Sequence, residues 1–340
     1  MKQLLLIILL LLVVQQRVDA SVIVDMHGRK ITLPAQVKRV MGASPPVTYL
    51  IYTLDPGLIT GLNLPLEDKA RRLLRPESGK LPVVGGFGGQ GRNFNIEAFL
   101  ATKPDLVVAW PQNTATLNQK VEQTLSDFKI PCVYVNLDNL KDYPAAYEFL
   151  GTVLGRKERG QKLAAYFRAE LKKLESFAAK IPEAKRLSVY FAEDPDGLTT
   201  VSADSAHAEA ISLAGARNVH QMKAVSSRKK ERISLEQVLV YNPEVIIAQD
   251  RSFYDSVYND SRWKGIAAVR NHRVYLVPDT PFNWMDKPPS FMRLMGTKWL
   301  ATVLYSSSST GNLLNETREF YRIVLGIELS DTDARKLLNL

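Results

Sequence analysis

Asn95-Ile-Glu-Ala-Phe-Leu-Ala-Thr-Lys-Pro-Asp-Leu-Val-Val-Ala-Trp110 aligns without a gap on Ser234-Leu-Glu-Gln-Val-Leu-Val-Tyr-Asn-Pro-Glu-Val-Ile-Ile-Ala-Gln249, 139 residues further along the chain. The copies agree at Glu97 and Glu236, Leu100 and Leu239, Pro104 and Pro243, and Ala109 and Ala248; the acids Asp105 and Glu244 agree in type. Each copy reads the same way. A small polar cap (Asn95, Ser234) opens a short helix, a glutamate in its first turn suits the helix dipole, and a proline closes the connection ahead of a buried strand. Any α/β chain yields chance matches, but the joint agreement of cap, acid, proline and strand points to one helix–strand unit used twice, and so to two similar lobes.

The surrounding sequence extends the pattern. β-branched runs at Arg39–Met41, Asp105–Trp110, Cys132–Leu137, Leu187–Ala192, Val245–Gln249 and Arg273–Val277 read as strands. Between and around them, Val47–Leu54, Ile96–Ala101, Thr116–Phe128, Tyr143–Leu154, Leu235–Val240 and Phe291–Leu304 read as helices. This alternation predicts an α/β protein with two doubly wound lobes, each a parallel sheet covered by helices. Between the lobes, Arg156–Lys180 places Leu163, Phe167, Leu171 and Leu174 at helical spacing, with basic residues on its other faces. A helix of about two dozen residues is ~36 Å long. It suits a stiff strut, and equally an ordinary amphipathic core helix. The expected division is a leader at 1–20, a first lobe at 21–154, a linker helix at 155–182 and a second lobe at 183–340.

Composition narrows the function. The 340 residues are 46% apolar and 23% charged, with one cysteine, four histidines and a formal net charge of +9. A lone Cys132 excludes an internal disulfide framework and a thiolate metal cage, and so few histidines leave little for a His-rich one. Met1-Lys2-Gln3 followed by eleven unbroken apolar residues, Leu4 to Val14, and then Val18-Asp19-Ala20 is the secretory pattern, too short to span a bilayer. We expect cleavage near Ala20, export to the periplasm and, with no cysteine at the cut, no lipid anchor. Losing Lys2, Arg17 and Asp19 removes one unit of positive charge. An exported protein with scattered basic residues is a poor nucleic-acid binder.

With these pieces in order, the chain resembles the helical-backbone (class III) substrate-binding proteins of ABC importers for ferric siderophores, haem and cobalamin. Asp25-Met-His-Gly-Arg-Lys-Ile-Thr-Leu-Pro34 resembles their opening hairpin, and Val37–Ser44 the lead into a first ligand loop. Leu213-Ala-Gly-Ala-Arg-Asn-Val219 and Trp263–Pro278 resemble the first and last units of a second lobe. The resemblance implies a ligand cleft between the lobes and an ABC permease dimer, with its ATPase subunits, as the partner. It gives the repeated glutamates, Glu97 and Glu236, a role in docking on permease arginines. As bare sequence they are also simply first-turn acids.

In such folds ligands lie beyond the C-terminal ends of parallel strands. That rule nominates Ser44, in a turn that either holds an anion or only starts a helix, with Tyr49 just after it. It nominates Arg92 in the glycine-rich Gly85–Arg92 loop, a ligand contact or a flexible surface loop, which lacks the lysine of a P-loop. Trp110 reads as a cleft aromatic or a core one. In the second lobe the candidates are Glu193, Tyr254, Trp284 and Arg293. Trp284 lies in the rigid Pro281–Ser290 loop and reads equally as a cleft contact and as packing on the lobe. His207 could ligate a metal but reads more simply as a surface residue. The stretch from Pro288 to Leu300 is similar to a subgroup spread over iron complexes, nickel, molybdate and tungstate. We therefore expect a monomeric binding protein for an anionic metal chelate, a ferric siderophore type first, with molybdate, tungstate or a nickel or corrinoid complex as alternatives. No resident cofactor or metal and no catalytic residue are expected. An exported hydrolase is the competing class, against which no Gly-x-Ser-x-Gly elbow and no His-Glu-x-x-His is present.

Overall fold

The computed structural model describes residues 21–87, 94–111, 115–222, 230–305 and 312–338; the expected leader lies outside them. The described chain opens on an antiparallel hairpin, β1 (Ser21–Val24) and β2 (Lys30–Leu33). Its turn closes on the Asp25 carboxylate, which accepts from the N–H groups of His27 and Arg29 and from the Arg29 guanidinium.

The first lobe follows as β3 (Val40–Gly42), α1 (Pro45–Leu54), α2 (Asp68–Arg71), α3 (Ile96–Ala101), β4 (Leu106–Ala109), α4 (Ala115–Asp127), β5 (Cys132–Tyr134) and α5 (Tyr143–Val153). Its sheet is parallel, in the order β3-β4-β5. Helix α6 (Lys157–Ala179) then leads to the second lobe. That lobe comprises β6 (Ser188–Ala192), β7 (Thr199–Val201), α7 (Glu209–Leu213), β8 (Arg217–Asn218), β9 (Lys230–Arg232), α8 (Leu235–Tyr241), β10 (Val245–Ala248), α9 (Arg251–Ser256), α10 (Ala267–Arg270), β11 (Val274–Leu276) and α11 (Arg293–Leu304). Its main sheet is parallel, β11-β10-β6-β8, with β7 and β9 forming a separate antiparallel pair. α12 (Leu313–Phe320), a π-helical turn and α13 (Asp331–Leu338) end the described chain. β4 and β10, Leu-Val-Val-Ala and Val-Ile-Ile-Ala, are buried at every position, as strands covered on both faces must be.

The repeated unit is the same object twice. Asn95 Oδ1 accepts from Ala98 N–H at 2.9 Å, and Ser234 Oγ from Gln237 N–H at 3.3 Å, one cap bond at equivalent positions. Lys103 and Asn242, each just before the shared proline, both take a positive φ, 46° and 39°. The shared acids also do one job: Asp105 accepts the N–H groups of Lys38 and Arg39 ahead of β3, and Glu244 accepts Ser188 N–H and Oγ–H at the start of β6.

Helix α6 is both strut and core. Leu163, Phe167 and Leu174 are fully buried, each stabilising by ~1.5–3 kcal/mol relative to exposure, while Lys157, Lys162, Arg168 and Lys172 face solvent. The C-terminal helices lie against it. Arg159 donates to Thr53 O in α1 at 2.9 Å and to Ile323 O and Val324 O at 2.7 and 2.8 Å, so residues beyond 312 touch the first lobe as well as the second. Lys298, buried in α11, pairs with Glu170 of α6 and lies 3.4 Å from Glu316 of α12. One apolar core therefore runs from Val47 through Phe167 to Val189, Phe291 and Phe320, across both lobes.

Candidate ligand-binding site

A cavity of about 420 Å³ opens between the lobes. Tyr49, Leu66, Glu67 and Lys69 line it from the first lobe, and Arg251 and Phe282 are among those facing them from the second. Tyr49 and Phe282 meet across the cleft as a stack, ring centres 3.7 Å apart and planes 14° from parallel. Burial, then the charge of Glu67, pushes the Tyr49 hydroxyl above its usual range, so it stays protonated. A second bridge between the lobes joins Lys69 Nζ to Asp279 at 2.5 Å, with Glu67 at 3.0 Å; Lys287 lies 3.7 Å from Asp250. Burial lowers the Lys69 pKa, but its hydrogen bonds to Asp279 and Glu67 outweigh that and raise it. A larger cavity, about 630 Å³, lies between the opening hairpin and the α5–α6 corner, by Val37, Lys38 and Arg156. It sits ahead of β3, at the wrong end of the strands for a crevice of this fold class.

The turn from β3 into α1 is tight. A Cβ on Gly42 would fall 2.3 Å from Thr48 Oγ1, so only glycine fits there. Asn63 knits the surrounding loops, donating to Gly42 O at 2.9 Å and Gly85 O at 3.0 Å while accepting from Thr48 Oγ1. Ser44, which precedes α1, is buried, and its Oγ has no hydrogen-bond partner among the described residues. Trp110 follows β4 at the same end of the sheet and is buried in the main core. Arg92 lies outside the described residues.

In the second lobe Glu193 follows β6 and is fully buried. Its carboxyl pairs with Lys230, which also lies 3.7 Å from Asp286, and Asp286 in turn pairs with His207. His207 is thus a partly buried partner of a loop acid rather than the surface residue expected. Burial first, and then the charge of Asp286, pushes the Glu193 carboxyl up to about 8, against the pull of Lys230. Gln249 donates to Asn283 Oδ1, which also accepts from the N–H groups of Met285 and Asp286 and so ties the 281–288 loop into a turn. Tyr254 is half-buried against the second lobe's own core.

Two candidates serve the loop and the lobes. Trp284 is fully buried, its indole N–H donating to Thr280 O at 3.0 Å; of the two readings open in the sequence, the structure places it in the packing. A Cβ on Gly296 of α11 would lie 1.9 Å from Trp284 O, so loop and helix touch backbone to backbone. Arg293, 2% exposed, donates to Leu137 O and Asp138 O of the first lobe and to Ala206 O of the second, with Glu209 3.6 Å away. Its two terminal nitrogens are spent on joining the lobes, while its buried Nε–H has no hydrogen-bond partner among the described residues. Glu97 and Glu236 stand exposed in the first turns of α3 and α8; Leu239 and Val240 are exposed next to Glu236. The sequence reading missed Asn63, Lys69, Phe282, Asp286 and Lys230. Phe282 and Asp286 share the proline-rich loop of Trp284, which was the signal available; Lys69 and Lys230 had none.

Residues 80–281 match the model of the periplasmic binding protein family. The chain is a periplasmic binding protein. Among solved structures, this binding protein superposes on an ABC transporter solute binding protein from Sulfurospirillum deleyianum with a TM-score of 0.86, at 36% identity, over 95% of this chain and 100% of that one. Among curated relatives it is 28% identical to the molybdate-binding protein MolA of Haemophilus influenzae, over 84% of each chain. It is also 28% identical to a vitamin B12-binding protein of Vibrio campbellii, over 76% of this chain and 85% of that one. The fold and these likenesses make it a class III binding protein of the ABC-importer type, and such proteins deliver a solute to a permease.

Proposed function

We propose that this protein captures a compact metal chelate of the ferric-siderophore type in the interlobe cavity and hands it, without chemistry, to an ABC permease dimer and its ATPase subunits. The observation that carries the reading is the cavity. Its 420 Å³ falls in the small-ligand range of roughly 300–1,000 Å³, roomy for a bare oxyanion and tight for a corrinoid. Its cations (Lys69, Arg251, Lys287) are matched by acids (Glu67, Asp250, Asp279), which suits a chelate carrying a metal and its anionic donors better than a naked dianion. The stacked aromatic pair, Tyr49 and Phe282, gives the cavity an apolar wall across both lobes for a bulky ligand to rest against.

A second reading, molybdate or tungstate, rests on Ser44. A buried hydroxyl without a partner, just beyond β3 at the cleft end of the sheet, is a fitting oxyanion contact, while Pro45, Pro46 and the bonds of Val47 and Thr48 N–H to Ser44 O leave the start of α1 without free N–H donors. That one relative is a molybdate-binding protein adds to it. A thermal-shift panel of ferric and nickel chelates, molybdate, tungstate, cobalamin and haem separates the two. A ferric chelate at a hundred times its Kd should stabilise by ~2.7 kcal/mol. Stabilisation by molybdate and tungstate alone would replace the first reading with the second, and turnover of any probe would favour an enzyme. Glu97 and Glu236, one in each copy of the repeated unit, are the docking points of this proposal, which has the protein working as a monomer in the periplasm after cleavage near Ala20, unanchored. N-terminal sequencing of the exported protein checks the last point.

A further inference from the structure

Glu193 and Asp286 are two carboxyl groups with side chains wholly shut from solvent, and Lys230 is the ammonium between them. Glu193 Oε2 pairs with Lys230, and Asp286 Oδ1 with His207 Nδ1. The oxygens left over, Glu193 Oε1 and Asp286 Oδ2, are buried with no hydrogen-bond donor among the described residues. The two carboxyl groups are also within hydrogen-bonding reach of each other. Buried acceptors are nearly always satisfied, and two like charges in such contact out of water are strongly disfavoured. One proton between the two groups answers both demands.

We propose that Glu193 carries a proton, donates it to Asp286 in a hydrogen bond and, with Lys230 bridging the pair and His207 behind it, acts as a positioning residue that holds the cleft loop, residues 281–288, in its binding position. The loop carries Phe282, which stacks on Tyr49 across the cleft, and Lys287, which lines the cavity. Asp286 is its buried foot, with its N–H held by Asn283 Oδ1 at 3.0 Å. The charged and titratable groups around the pair are Lys230 from β9, His207 from the turn before α7, and Asp194, whose charge acts on Lys230. The field and burial at Glu193 favour the protonated form at neutral pH. The sign follows. An acid whose folded-state pKa is raised favours the folded, loop-docked state at low pH, and that advantage is lost as pH climbs from the ordinary carboxylate range through about 8. Above it, two adjacent carboxylates face one ammonium, and the loop loosens.

This inference does not depend on which ligand is bound, so its test needs none. Hydrogen exchange of the full ligand-free chain, corrected for intrinsic rates, is followed between pH 6 and 9.5 for a peptide spanning 279–290. Wild type should lose protection there several-fold in a sigmoid centred near pH 8, while the peptide of β4 stays unchanged. Glu193→Gln, which keeps a neutral hydrogen-bonding group, should hold protection flat across the range. Carboxyl-carbon NMR should find one glutamate titrating near pH 8, absent in Glu193→Gln and moved toward the ordinary range in Asp286→Asn. A flat wild-type profile, or the same sigmoid in Glu193→Gln, would overturn the proposal. Should Glu193→Gln fail to fold, wild type and Asp286→Asn decide it, and an unmoved glutamate titration in Asp286→Asn refutes it.

Discussion

Replacing Arg293 with methionine removes the clasp between the lobes while keeping an unbranched stem. The guanidinium donates to Leu137 O at 3.1 Å, Asp138 O at 3.2 Å and Ala206 O at 3.0 Å, and it lies 3.6 Å from Glu209. Its loss leaves buried carbonyls without a charged donor, at ~1–3 kcal/mol for such a group. It also strips Glu209 of its cation, and deleting one partner of a buried pair costs ~3–5 kcal/mol. These losses overlap, so we expect a total of ~4 kcal/mol. With an unfolding entropy of ~2.1 cal/mol/K per residue over roughly 320 residues, the melting temperature falls by about 6 °C. The loss should depend on pH. Burial already holds the Glu209 carboxyl above the usual range, and Arg293 restrains that rise. Without Arg293 the folded-state pKa climbs further, so the gap to wild type is smallest below the ordinary carboxylate pKa of about 4.3 and widens as pH rises. Calorimetry at pH 4.5 and pH 8 measures both effects. A gap under ~1 kcal/mol at pH 8, or one that is equal at the two pH values, would refute the clasp.

Charge reversal at both docking candidates, Glu97→Lys with Glu236→Lys, should abolish uptake in cells while leaving ligand affinity and melting temperature unchanged; normal transport would end the docking role. Phe282→Ala removes the stack on Tyr49, worth ~1 kcal/mol beyond area, and should lower stability by at least that much by calorimetry. An unchanged melting curve would show that the stack does not join the lobes. Lys298→Ala leaves Glu170, 3% exposed, without its buried cation and should destabilise by ~3–5 kcal/mol, partly restored by adding Glu170→Gln. Gly296→Ala drives a Cβ to 1.9 Å from Trp284 O, so the protein should be recovered folded in much lower yield than wild type.

The elements were legible because their signals are local. Ile96–Ala101 is legible to the residue, and Cys132, Tyr143 and Val245 are legible as the first residues of their elements; four expected strands end one to three residues late, as at Cys132–Tyr134, while the first ends one residue early, at Met41 rather than Gly42. Helix α11 begins at Arg293, two residues after the expected Phe291, which sits in a turn packed against Phe282 and Phe320. Site residues were legible as neighbourhoods only. The strand-end rule led to the Ser44–Tyr49 turn, to Glu193 and to the Trp284 loop, but within that loop it favoured Trp284, which faces the core, over Phe282, which faces the cleft. Which way each ring of a proline-rich loop points is set by what packs beneath it, here the bare backbone of Gly296.

The repeated unit, the strands of the two parallel sheets other than β8, and the two-lobe plan are legible in the sequence alone, whereas β9, α12 and α13 are not read there. Caps, prolines, buried β-branched runs and the repeat each act within a few residues, and a gap-free repeat carries the same local bonds wherever it is placed. What each charged group does depends on the folded arrangement. Arg293, a candidate ligand contact by sequence, clasps the lobes; His207, expected at the surface, backs a buried acid; Lys69 and Lys230, which carry no sequence signal, stand at the cleft and beneath its loop. A charge is defined by partners up to 210 residues away, as Lys69 is by Asp279, and no local pattern records which groups the fold will bring within 4 Å.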